Sequence, residues 1–260
     1  MLDLAALPLW LIFLLSLVVI FGAVEFGRSL GATARVRKSE TITMLVGALL
    51  GLLALMMGFT FSVALSRFEA RLDAVLEEAN AIGTTALRAR LLHEPESSAS
   101  LKLLRDYVQV RLDVTQKATS PVDVAAAVEH SNEIQEALWR QAQAAAAKDS
   151  AMVPTGLYLQ TLNETIDAQE KRLTAFRNRV PGIVIVALYA IAILAACFTG
   201  YSGWSEGRRS RISDYLVYFV VASVILLIQD LDRPGPGLIN VSQQPLIDLS
   251  QTLESYIPKD

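Results

Sequence analysis

Apolar residues gather into four long runs, and a polar stretch separates the second run from the third. Leu4 to Val24, Thr41 to Ser66 and Val180 to Ser205 carry no charged side chain. The fourth run, Ile212 to Gln229, holds only Asp214, near its start. A hydrocarbon layer of about 30 Å needs roughly 20 helical residues. The pattern therefore predicts four transmembrane helices, at about 7–27, 41–66, 181–203 and 212–229. Tyr215 and Tyr218 suit the membrane interface at the start of the fourth. The first run lacks a basic start, is too long for a signal peptide and is followed by no A-x-A site, so it reads as a retained anchor closed by Glu25 and Arg28.

The polar middle, 67–179, repeats apolar residues at helical spacing. Phe68, Leu72, Val75, Leu76, Ala79, Ile82 and Leu87 continue the second run with no Pro or Gly before Gly83. One long helix leaving the membrane is predicted. H-E-P-E-S-S, His93 to Ser98, breaks it. A second helix is expected from about Ala99, with Leu101, Leu104, Val108 and Leu112 on one face. Ser120-Pro121 starts a third, because Pro fits a first turn and Ser caps. Pro154-Thr155 starts a fourth, which ends at Val180-Pro181-Gly182. In the tail, 230–260, two Pro and two Gly exclude a regular helix at 234–237, and a short helix is expected from Pro245 to Tyr256. No alternating strand pattern competes. The expected fold class is all-α, one domain over 1–260 with a membrane layer and a helical extramembrane layer.

Composition agrees with the pattern. Of 260 residues, 53% are hydrophobic and 19% charged, with mean hydropathy +0.40. Average soluble chains carry about a quarter charged residues. Disordered, collagen-like and disulfide-scaffold classes are excluded. A net charge of −3 gives no support to a nucleic-acid partner. Cys197 stands alone inside the third run, so it forms no intrachain disulfide and no Cys-based metal site, and it reads as a packing residue.

Candidate chemistry is sparse. The second and third runs hold no acidic or basic side chain, which argues against a carboxylate relay at membrane depth. The second run carries small residues, Gly47, Gly51, Ala54, Gly58 and Ser62, on a narrow stripe. Such a stripe serves helix packing. It also suits a pore lining, with Met56, Met57, Phe59 or Phe61 as a constriction. Glu77, Glu78 and Asn80 read as a solvated helix face, with a cation site as the alternative. Asp230 and Asp232 read as an ion pair or cap (Asp232 with Arg233 or Arg67), with a hard-cation site as the alternative. His93 and His130 are isolated, and no Walker loop, nucleophile elbow or Cys–His pair occurs. No enzyme, cofactor or metal is expected.

Four spans put both termini and the middle on one side. The short loops are basic, with Arg28, Arg35, Arg37 and Lys38 in one and Arg208, Arg209 and Arg211 in the other. The positive-inside rule then favours cytoplasmic loops. Arg67, Arg71, Lys171, Arg172, Arg177 and Arg179 place positive charge on the opposite side as well, so orientation stays open.

Two segments carry a family resemblance. F-E-A-R-L-D-A-V-L-E-E-A-N-A-I-G-T-T-A-L-R-A-R-L-L follows the second run, and L-D-R-P-G-P-G-L-I-N-V-S-Q-Q-P-L follows the fourth. With the order and spacing of the spans, they resemble the bestrophin-like family of multi-pass membrane proteins. The specific parts are E-A-N-A-I-G-T, with Glu78, Asn80 and Gly83, and L-D-R-P, with Asp232, Arg233 and Pro234. Gly235 stands where the family pattern leads one to expect an aromatic. Through the more distant bestrophins, the resemblance implies a pentameric anion channel whose second span lines the pore and whose middle helices are cytosolic. The dense acidic run of the bestrophin cation clasp is missing, so calcium gating is not expected.

The sequence thus reads as an oligomeric channel for small inorganic ions. Its partners are the lipid bilayer and further copies of itself. The pore-lining candidates are Gly51, Ala54, Met57, Gly58, Phe59, Phe61 and Ser62. The Ala-rich composition and compact size favour a bacterial plasma membrane. The alternative is a non-conducting membrane sensor or scaffold whose helical middle binds a ligand or partner.

Overall fold

The computed structural model describes residues 7–34, 40–117, 121–205, 211–235 and 237–256. The loop residues Arg35, Arg37, Lys38, Arg208 and Arg209, and the capping Ser120, lie outside them. Among the described residues the regular elements are helices: α1 Leu9–Ala34, α2 Glu40–Ala89, α3 Glu96–Lys117, α4 Pro121–Lys148, α5 Leu157–Arg177, α6 Gly182–Ser205, α7 Ile212–Asp232 and α8 Gln244–Tyr256. A single wide π-helical turn at Met152–Gly156 precedes α5. The all-α expectation holds, and α1, α2, α6 and α7 are long and apolar enough to cross a membrane. The chain forms two compact units, Met1–Phe68 with Asn178–Asn240, and Glu69–Arg177 with Val241–Asp260.

In the first unit α1 packs mainly on α6 and also on α7. The α1–α6 approach depends on glycine. A Cβ on Gly27 would sit 1.9 Å from the Cys197 carbonyl oxygen, and one on Gly200 would sit 2.0 Å from that of Val24. Close backbone approach through small residues is how membrane helices gain dispersion contact without a hydrophobic driving force. Ile20, Val24, Leu188, Ala192, Ala195, Ala196, Ile225 and Ile228 are fully buried around this crossing.

Polar groups pin the same helices. Arg28 Nη2 donates to Asp214 Oδ2 at 2.5 Å, and both residues are buried. Glu25 accepts from Arg211 Nη1 at 3.0 Å and from the Tyr215 hydroxyl at 2.5 Å. This corrects the expected end of the first span. Arg28 does not close the helix, because Asp214 neutralises it and α1 runs on to Ala34. Deeper, the Tyr189 hydroxyl meets the Ser16 hydroxyl at 2.6 Å and accepts from Gln229 Nε2 at 3.0 Å.

In the second unit the rest of α2 packs with α3, α4, α5 and α8 around Ile82, Leu104, Tyr107, Leu138, Tyr158, Leu162, Leu246 and Leu253. α3 starts at Glu96 rather than Ala99. The Ser97 and Ala99 amides already bond to the His93 and Pro95 carbonyls, and an acid in the first turn suits the helix dipole. α5 starts at Leu157, three residues after Pro154, because Val153 is extended (φ −117°, ψ 121°). α8 lies on α3 and buries Leu246 and Leu253.

Candidate functional site: the uncovered face of the second helix

α2 is a 50-residue helix with two different sides. In the first unit Leu53, Thr60 and Ala64 are buried, with Leu49, Leu50, Met56, Met57 and Phe61 packed partly against the same core. The other side is open. Gly51, Ala54, Gly58, Phe59 and Ser62 are exposed, and a Cβ on Gly51 or Gly58 would meet nothing within 4 Å. The seven candidates therefore divide. Gly51, Ala54, Gly58, Phe59 and Ser62 share the uncovered side, whereas Met57 and Phe61 turn toward their own chain. Among the described residues, the small stripe packs against no other helix of the chain.

In the second unit Glu78 corrects its sequence reading. It is fully buried rather than solvated. Its carboxylate pairs with Arg111 Nε at 2.9 Å and with Arg172 Nη1, and accepts from the Tyr107 hydroxyl at 3.2 Å. Tyr107 also donates to Gln169 Oε1 at 2.8 Å, and Gln169 Nε2 donates to Asn132 Oδ1 at 2.8 Å. Burial, and then the Glu78 charge, hold the Tyr107 phenol well above its usual range. A lone buried carboxylate is prohibitive, so the two guanidinium groups are what let Glu78 stay inside. Glu77 is exposed and pairs with Lys171 at 2.5 Å. Asn80 is exposed, and its carbonyl accepts from Thr84 Oγ1. Gly83 makes room for α8, since a Cβ there would lie 3.3 Å from Leu249 Cδ1.

The turn after α7 is held by carboxylates acting as caps. Asp230 is buried and accepts from the Leu238 and Ile239 amides at 3.0 and 2.9 Å. Gly237 passes so close that a Cβ would sit 2.1 Å from Asp230 Oδ1. Asp232 Oδ1 accepts from the Val180 amide at 2.7 Å, and Arg233 Nη2 donates to the Leu7 carbonyl at 2.9 Å. Pro234 follows, half-buried. L-D-R-P thereby ties the end of α7 to the starts of α6 and α1. Among the described residues no group of three or more His, Cys, Asp or Glu could hold a metal ion.

The reading from sequence missed Arg111, Arg172, Tyr107 and Gln169, which come from two helices other than α2, and no local spacing announces them. It also missed the α1–α6 crossing. There a signal was present: Gly27 and Gly31 are four apart, as are Ala192, Ala196 and Gly200.

Known structures share this architecture. A bacterial bestrophin homologue from Klebsiella pneumoniae is 16% identical, with TM-score 0.67, over 95% of this chain and 96% of its own. A crystallised membrane protein carrying a proline-to-alanine substitution is 14% identical, with TM-score 0.71, over 96% of this chain and 99% of its own. At such identities the likeness concerns the fold alone. No curated protein matches the chain. The model of the bestrophin-like domain matches residues 10–246. The chain is a membrane protein that belongs to the bestrophin-like family.

Proposed function

We propose that the protein is a subunit of an oligomeric ion channel of a bacterial plasma membrane, with α2 lining the pore. One observation carries this reading. Only 6% of the most apolar 18-residue stretch of α2 is buried within the chain, against 22–33% for the other spanning helices. The uncovered side mixes small and partly polar residues, Gly51, Gly58 and Ser62, with exposed bulky ones, among them Met44, Leu55 and Phe59. A ring of copies related by closed symmetry would cover the flanks of α2 and leave the small residues facing the axis. Small side chains keep such a path open, and Phe59 beside them supplies a bulky element for a constriction. The family resemblance implies five copies and an anion as the permeant ion.

The test is current across a planar bilayer holding the purified full-length protein in asymmetric potassium chloride. Discrete currents are expected, reduced at least several-fold by Gly58→Trp with unchanged elution of the oligomer. Silence from a folded oligomer, in the native chain and in Phe59→Ala alike, would overturn the channel reading. It would favour a non-conducting sensor or scaffold.

A further inference from the structure

In the first unit α1, α6 and α7 start and stop at two common levels. α1 and α6 run parallel in a fixed register. Ser16 meets Tyr189, 173 residues away, and Gly31 packs on Trp204 at the same offset, since a Cβ on Gly31 would lie 3.1 Å from Trp204 Cβ. α7 runs the other way. Asp214, near its start, meets Arg28, and Arg233, just past its end, donates to the Leu7 carbonyl at 2.9 Å. One level therefore holds Trp10, the start of α6 and the end of α7. The other holds Gly31, Trp204 and the start of α7. Trp10 and Gly31 are 21 residues apart on α1. At 1.5 Å per residue that is about 31 Å, and a hydrocarbon core is about 30 Å thick.

Tryptophan marks both levels. Trp10 is 64% exposed and Trp204 51%. Between them the outward side chains are apolar, with Leu14, Val18 and Phe26 of α1 and Val186 and Leu194 of α6 exposed. An indole joins a large apolar ring to an N–H donor, which suits the plane where hydrocarbon meets headgroups. The charged side chains obey the same limits. Between the two levels these three helices carry Glu25, Arg28, Asp214, Asp230 and Asp232. Arg28 pairs with Asp214, and Glu25 accepts from Arg211 and Tyr215. Asp230 and Asp232 accept from backbone amides. None is left to lipid, as charge at membrane depth requires.

We propose that the two headgroup planes of the bilayer lie at Trp10 and at Trp204, and that these indoles anchor the protein at that depth. The partner at each plane is a phospholipid surface. Arg28, three residues before Gly31, then sits with Asp214 about 5 Å inside the second plane. Burial of both residues of that pair follows from its depth, because neither charge has water to fall back on. The assignment does not depend on what α2 lines.

The chain has three tryptophans, Trp10, Trp139 and Trp204. The experiment is fluorescence of full-length variants that keep one each, W139F/W204F, W10F/W204F and W10F/W139F. They are reconstituted in phosphatidylcholine vesicles brominated either near the headgroup or near the chain ends, and unchanged elution in detergent checks the fold. Trp10 and Trp204 are expected to be quenched at least about twofold more by bromine near the headgroup. Trp139, packed against the core of the second unit, is expected to be quenched by neither. Stronger quenching from the chain ends, or none above that of Trp139, overturns the anchor assignment for that tryptophan. The native chain supplies a second measurement. Its thermal midpoint, in vesicles of increasing chain length, is expected to peak where the hydrocarbon is about 30 Å thick. A peak at another thickness, or no dependence on thickness, overturns the spacing of the planes. Failure of either measurement leaves the channel reading standing, and a silent channel leaves these planes standing.

Discussion

Glu78 shows how one residue's surroundings decide its role. Its carboxylate is fully enclosed between Arg111 and Arg172. Removing one partner of a buried charge pair leaves an uncompensated charge and costs about 3–5 kcal/mol. Glu78→Gln is therefore expected to lower the thermal midpoint by many degrees in circular dichroism melts. Glu77→Gln next door, whose partner is exposed Lys171, is expected to cost no more than about 1 kcal/mol. Equal effects would refute the buried-pair account. Tyr158 supplies a pH test. Burial pushes its phenol up to about 12, opposed by its bond to Ser100 at 3.1 Å. The unfolded phenol ionises near 10. The folded value is raised, so the stability that Tyr158 contributes is complete below pH 10 and is lost as pH rises from there toward 12. Tyr158→Phe is expected to flatten the fall in melting midpoint over that window relative to the native chain. Parallel curves for the two proteins would contradict this. Neither fate could be read from sequence. E-E at 77–78 looks like any solvated helix face until residues 33 and 94 positions further along close over one of the two.

At the scale of helices, the sequence was most legible where length and charge suffice. Four charge-free or nearly charge-free runs became α1, α2, α6 and α7, and the unbroken stretch after Ser66 became part of a 50-residue α2. Helix ends were less legible, because they depend on partners. α1 passes Arg28 since Asp214 of α7 neutralises it. α5 waits for Leu157 since Val153 is extended. The α1–α6 crossing makes a sharp prediction. Gly200→Leu forces backbones apart where even a Cβ would sit 2.0 Å from the Val24 carbonyl oxygen. Overpacking in a well-packed core costs about 1–3 kcal/mol, and more where backbone must move. Aggregation or a broadened elution profile in detergent is expected for Gly200→Leu, and for Gly27→Leu by the same contact. Gly22→Leu, with nothing within 4 Å of a Cβ, is the control and is expected to elute as the native chain does. If all three behave alike, the crossing is not held by close approach.

For the whole molecule, the question is what covers α2. Lipid serves an apolar side chain well, so Phe59 and Leu55 by themselves require no partner. The centre of the same face is different. Gly51 and Gly58 offer lipid no bulk. On the proposed reading, a second copy of α2 beside the first would supply packing to the flanks and leave the small residues facing an axis. The protein is therefore expected to be an oligomer at every concentration that keeps it folded. Its thermal midpoint should rise with protein concentration, because assembly and folding share the same free energy. Light scattering in detergent measures the mass, and melts over a hundredfold dilution measure the linkage. A well-folded monomer with a concentration-independent midpoint would mean that lipid alone covers α2. The stripe of glycine and serine would then have no axis to face.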